Sequence, residues 1–207
     1  MRMEKSAKKD FYLCEEKNRM MSKYCNCIKC AKNEKVKNPF KIYQGIFSLK
    51  KIALDFDLRI NAMCRFGCKW FGQKIMCPPN IPDADYYVAA FKDYNFLCIV
   101  GRKYPYSDGF FFSHWRNYST NEIHELLLEK ERELFKKGHI YAKAFIGGSC
   151  KLCFPNNCSS TRCRMPSKGR ASVEAAGINV FSIMKTIGLE YQEPPKDYFW
   201  RIGIVLY

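Results

Sequence analysis

The chain has 207 residues, 47% of them hydrophobic and 15% aromatic, which excludes intrinsic disorder and leaves room for one domain of ordinary size. No long uninterrupted apolar run suggests a membrane span, and the charged start at Met1–Asp10 lacks a secretory pattern, so the expectation is a cytoplasmic protein. Thirty-five Lys and Arg against 20 Asp and Glu give a net charge of +15, a balance suited to acidic partners.

Residues 1–40 read as a basic, Cys-containing N-terminal extension, and residues 41–207 as a core domain. Ile52, Leu54, Phe56, Leu58 and Ile60 alternate with mostly polar residues, which predicts a half-buried strand. Asp83 is placed to cap a helix whose Ala84, Tyr87, Val88 and Phe91 fall on one face. The apolar run from Phe96 to Gly101 predicts a buried strand, followed by an aromatic loop from Tyr104 to Trp115. Ser119 and Glu122 have the spacing of a capping box and predict a helix that ends at Lys136, Lys137 and Gly138.

Ile140 to Ile146 predicts another strand, turned by Gly147 and Gly148. Ala171 to Ala176 reads as a short helix closed by Gly177, Asn179 as the cap of a further helix through Ile187, and Phe199 to Tyr207 as a closing strand. The intermixed elements predict an α+β fold: a small mixed sheet with helices packed on it and two cysteine-rich metal-binding loops.

Twelve cysteines are too many for a reducing compartment to use as a disulfide framework, and they are grouped. Cys150, Cys153, Cys158 and Cys163 offer four thiolates within fourteen residues, enough for a [4Fe-4S] cube or a tetrahedral zinc. Cys64, Cys68 and Cys77 number only three, which on a second [4Fe-4S] cluster would leave one iron open to a substrate. Cys14, Cys25, Cys27 and Cys30 could form a third site, complete the second, or stand as reactive surface thiols. Cys98 lies within an apolar strand and reads as packing. None of His114, His124 and His139 has a second histidine at ligand spacing; His124 reads as solvated and His114 as structural.

The segments Cys64-Arg-Phe-Gly-Cys68, Met76-Cys77-Pro-Pro-Asn80 and Gly147-Gly-Ser-Cys-Lys-Leu-Cys153, with the stretch Cys163 to Val180, resemble a cysteine-rich family of predicted metal-binding proteins frequent in anaerobic microbes. The resemblance spans about Leu54 to Tyr191. It implies a cysteine-ligated metal, with iron and sulfur the expected form, and no particular reaction. The third cysteine group departs from that family's pattern, because four residues rather than two separate Cys153 from Cys158.

The functional expectation is an iron-sulfur protein with two [4Fe-4S] clusters, acting in electron transfer or as a small redox or sulfur-transfer enzyme. Its partner would be a redox protein or a larger acidic enzyme complex. The alternative is a zinc-stabilised module that binds RNA or an acidic protein.

Overall fold

The computed structural model describes residues 11–14, 19–22, 40–106, 110–154, 158 and 161–207, with only the backbone course given for 11–14, 19–22 and 110–115. Strands β1 (Phe11–Cys14) and β2 (Arg19–Ser22) form an antiparallel pair. The remaining strands are β3 (Ile42–Ser48), β4 (Phe96–Pro105), β5 (Lys143–Phe145) and β6 (Tyr198–Leu206), which build one sheet in the order β3-β4-β6-β5 with every neighbour antiparallel.

Alternation along β4 and β6 sends side chains to two different apolar layers. Leu97, Ile99, Ile202, Ile204 and Leu206 meet Tyr87, Phe91, Val173, Ile178, Ile183 and Met184 on one face. Cys98, Val100, Tyr104, Phe199 and Val205 meet Ile123, Leu127 and Leu134 on the other. The first layer is covered by the short helices α2 (Ala84–Ala90) and α4 (Val180–Thr186), the second by the long helix α3 (Phe110–Lys136). Gly203 lets α3 sit close, because a Cβ there would lie 2.3 Å from Leu127 Cδ1.

Several local signals act as expected. Asp83 caps α2, accepting the Tyr86 N–H at 3.0 Å, and Asn179 caps α4 by accepting the Ser182 N–H at 3.2 Å. Other segments differ. The alternating stretch from Ile52 is not a strand: Asp57 accepts the Arg59 N–H at 2.9 Å and starts helix α1 (Leu58–Arg65), leaving Phe56 with one isolated bridge to Ile178. Helix α3 begins at Phe110, not at Ser119, and the supposed capping pair is used elsewhere. The Ser119 hydroxyl donates to the Arg116 carbonyl, while Glu122 accepts from Arg102 at 2.5 Å and from the Tyr104 hydroxyl. The 171–176 segment is a run of turns whose Ile146↔Ser172 bridge extends the sheet past the end of β5.

The expectation of two metal-binding loops within the α+β fold is corrected. Among the described residues no group of three or more His, Cys, Asp or Glu side chains is placed to hold a metal ion. Nor is any helix among them long and apolar enough to cross a membrane.

Candidate functional site

Strand β5 stops at Phe145, opposite Ile204, so along Trp200–Ile202 β6 is paired with β4 on one side and has no strand neighbour on the β5 side. The chain turns there at Gly147 and Gly148, and the turn requires glycine twice. A Cβ on Gly147 would lie 2.2 Å from the Ile202 carbonyl oxygen, and Gly148 has φ +76°. Beyond this turn a cavity of about 410 Å³ opens, a size suited to a small organic ligand.

Helix α1 forms one wall with Ile60, Met63 and Cys64. It is lashed to the opposite wall by Asn61 Nδ2 donating to the Ala175 carbonyl at 2.7 Å, and by the Asp57 N–H donating to the Gly177 carbonyl at 2.8 Å. The loop after α1 supplies Cys68, Trp70, Phe71, Cys77 and Pro78. It is held by its own backbone: Phe71 N–H bonds to Cys68 O at 3.0 Å, Gly72 N–H to Pro78 O at 2.9 Å, and Cys77 N–H to Lys74 O at 3.1 Å. Ile178, Phe181 and Met184 add further apolar lining, and Trp200, Arg201 and Ile202 close the sheet side.

The cavity's charge is concentrated on its inner side. Arg201 donates through Nε to Ser119 Oγ at 3.3 Å and through Nη1 to the Gly147 carbonyl at 3.2 Å, both neutral acceptors. Among the described residues it forms no ion pair with a carboxylate. Burial lowers its pKa, Glu174 opposes that effect, and Arg116 adds to it. Arginine nevertheless remains charged at any physiological pH. Glu174 also lines the cavity and accepts the Gly148 N–H at 3.2 Å.

Beside the cavity lies a second accumulation of positive charge. The ammonium groups of Lys74, Lys151 and Lys69 stand 4.2, 5.0 and 5.1 Å from the centroid of the Trp70 ring. Lys74 is only 8% exposed and donates to the Cys150 carbonyl at 2.5 Å, joining the Cys68–Asn80 loop to the following cysteine segment. Burial, then the charges of Lys74, Arg116, Arg201 and Lys69, push the Lys151 pKa down to about 8.

Cys64, Cys68 and Cys77 do share one cavity, but in three environments: half-buried at the end of α1, exposed, and buried. Burial is the main force on the Cys64 and Cys77 thiols. It raises the Cys64 pKa, with help from Cys68 and Glu174, and raises that of Cys77 to about 12 against the pull of Lys74. Cys150 packs against the α3-side apolar layer, and burial raises its pKa against a backbone hydrogen bond from Leu152. Cys153, Cys158 and Cys163 are half-buried, all four thiols of this group being free. Cys98 is fully buried in β4, opposite Val205. The side chains of Cys14, Cys25, Cys27 and Cys30, and that of His114, lie outside the described residues.

These placements overturn the expected cofactors. Neither [4Fe-4S] clusters nor zinc have a donor set among the described residues, so the readings as an iron-sulfur electron carrier, a redox or sulfur-transfer enzyme at an open iron, and a zinc-stabilised RNA-binding or acidic-partner-binding module are corrected together. Close spacing along the chain does not make thiols converge. Cys150 is engaged by the apolar layer, and Cys64 and Cys77 lie at different depths of one cavity wall.

Sequence reasoning missed Arg201, which sits in an ordinary strand pattern; the signal available was a lone charge at an α3-facing position of β6. It also missed the lysines that gather on Trp70, since Lys69 and Lys151 are 82 positions apart and meet only in the fold. His124, expected to be solvated, is fully buried on α3, where its Nε2 bonds the Lys168 carbonyl at 2.8 Å.

Residues 46–207 match the family described as Predicted metal-binding protein (DUF2284), and the chain belongs to that family. That description implies a metal, which the described residues do not fit, because no three or more of their His, Cys, Asp or Glu side chains are grouped to hold one. No curated protein and no solved structure matches the chain.

Proposed function

We propose that this member of the family, working in the cytoplasm, binds a small organic anion with an apolar body, its negative head against Arg201 and its body between Trp70, Phe71, Ile178, Met184 and Trp200. The observation that carries this reading is the cationic side chain of Arg201 at the inner side of a largely apolar cavity, held by two neutral acceptors. A guanidinium away from bulk water gains most from an anionic ligand, whose carboxylate it can meet through two parallel N–H bonds. Glu174 beside it disfavours anions that would sit too close to the Gly148 turn and so restricts where the head can lie.

Cys64, Cys68 and Cys77 then act as lining. Cysteine sulfur is polarisable and weakly hydrogen-bonding, so these side chains suit an apolar or sulfur-bearing ligand body. Met63 and Phe181, both exposed and both lining the cavity, form an apolar mouth through which such a body enters.

The test is calorimetric titration of the full chain with a series of aliphatic and aromatic monocarboxylates, alongside Arg201→Gln. A charge-assisted hydrogen bond of about 1.5–3 kcal/mol corresponds to roughly a 10- to 150-fold loss of affinity in the variant. Equal affinities of the two proteins for every binding carboxylate would overturn the reading.

A further inference from the structure

We propose that Lys69, Lys74 and Lys151 form a phosphoryl-binding subsite on Trp70, a residue that also lines the Arg201 cavity, without using Arg201 itself. The three ammonium groups lie 4.2 to 5.1 Å from one ring centroid, so no two are further apart than about 10 Å. Among the described residues none of the three makes an ion pair with a carboxylate.

Two of them are buried: Lys74 is 8% exposed and Lys151 9%. Lysines are almost never buried without a partner, because a desolvated ammonium loses its hydration. The indole face offsets part of that loss through its quadrupole, and the Cys150 carbonyl accepts one Lys74 N–H at 2.5 Å. Neither neutralises three like charges gathered on one ring. An anion does.

Its class follows from the donors. Lysine ammonium groups act as point charges with freely rotating N–H bonds, whereas flat two-point recognition of a carboxylate is the task of arginine. Three ammonium groups match a tetrahedral group that carries a charge of about −1.5 to −2 and presents three acceptor oxygens, which is a phosphate monoester or the end of a diphosphate. Lys69 is exposed and can close over a group that Lys74 and Lys151 hold from below. The loop is stiff enough to keep this arrangement, since Asn80 Nδ2 bonds the Lys74 carbonyl at 3.1 Å and Gln73 N–H bonds the Trp70 carbonyl at 3.1 Å.

The experiment titrates the full chain with inorganic phosphate, inorganic pyrophosphate and a short single-stranded RNA at low ionic strength. Tryptophan fluorescence and calorimetry are read in parallel. The expected result is saturable one-to-one binding of pyrophosphate, weaker binding of phosphate, and a fluorescence change that disappears in Trp70→Phe while calorimetric binding remains. Lys69→Gln and Lys151→Gln each weaken binding about tenfold, and Arg201→Gln retains it; far-UV circular dichroism confirms that each variant is folded. Lys69 is exposed, so its variant keeps the test decisive even if a change at Lys151 disturbs the fold. Absence of saturable pyrophosphate binding, affinities unchanged by both lysine substitutions, or binding of RNA without binding of pyrophosphate would each overturn the proposal. Loss of pyrophosphate binding only in Arg201→Gln would also overturn it, and would assign the anion to the cavity.

Discussion

Acidification should weaken this fold through one histidine, and the size of the effect can be worked out. His124 is fully buried on α3 and its Nε2 faces the Lys168 carbonyl at 2.8 Å, so the ring is the tautomer with its proton on Nε2. Nδ1 then carries only a lone pair and has no hydrogen-bond partner among the described residues; Asn121 Oδ1, one turn earlier, is likewise without one. Protonating Nδ1 would create a buried cation near Arg170, opposed by Glu131 and by the Lys168 carbonyl. Burial dominates and pushes the pKa down from 6.5 to about 4.

Because the folded-state value is depressed, the imidazole is neutral in both states above pH 6.5 and contributes no pH dependence there. Between pH 6.5 and about 4 the unfolded chain takes up the proton first and stability falls; below about 4 both states are protonated and the loss is complete. At about 1.4 kcal/mol per tenfold change in proton affinity, the full loss is about 3 kcal/mol, of which about 2 kcal/mol has appeared by about pH 5. The assay is urea denaturation of the native protein and of His124→Gln, which does not titrate, at a series of pH values from about 7.5 to about 4. Stability of the native protein should fall relative to the variant by that amount. If the two stability profiles run parallel across this range, the reasoning is wrong.

Other consequences are as direct. Gly147→Ala should cost about 1–3 kcal/mol in urea denaturation and also abolish carboxylate binding, since the added Cβ would meet the Ile202 carbonyl oxygen at 2.2 Å and backbone must move. Arg170→Met should cost about 3–5 kcal/mol by the same measurement, because it strands Glu131, a mostly buried carboxylate that also accepts the Ala144 N–H at 2.6 Å. Brief alkylation of the native protein at about pH 8, followed by peptide mass mapping, should modify Cys68 well before Cys77 and Cys98. Cys68 is exposed while the other two are buried, and comparable labelling of all three would refute the placement.

Local rules were readable where one strong side chain decided the outcome. Asp83 and Asn179 start their helices as their positions predict, and the β-branched runs of β4 and β6 pair in the centre of the sheet. Rules failed where two patterns competed. The period-two alternation around Phe56 lost to the capping carboxylate of Asp57, because a cap fixes the first turn whereas alternation stabilises only if a neighbouring strand is present. Ser119 and Glu122 have capping-box spacing, but tertiary partners took both side chains: Arg201 for the serine, Arg102 and Tyr104 for the glutamate.

The site was half legible. Gly147 and Gly148 marked a turn at the right place, and Cys64, Cys68 and Cys77 do line a common wall. The grouping of cysteines suggested bound metal because spacing reports how close thiols can come, not where burial and packing leave them. Arg201 and the lysines on Trp70 gave no local signal, since long-range topology creates their proximity.

The early end of β5 has a consequence for how the cavity could diversify. β6 and the glycine turn line one side of the cavity, whereas α1 and the 172–184 region line the others. Exchanges at Ile60, Met63 or Phe181, which lie outside the buried layer on the sheet, would therefore retune selectivity without disturbing it, and a library confined to those three positions is the natural route to altered ligand preference.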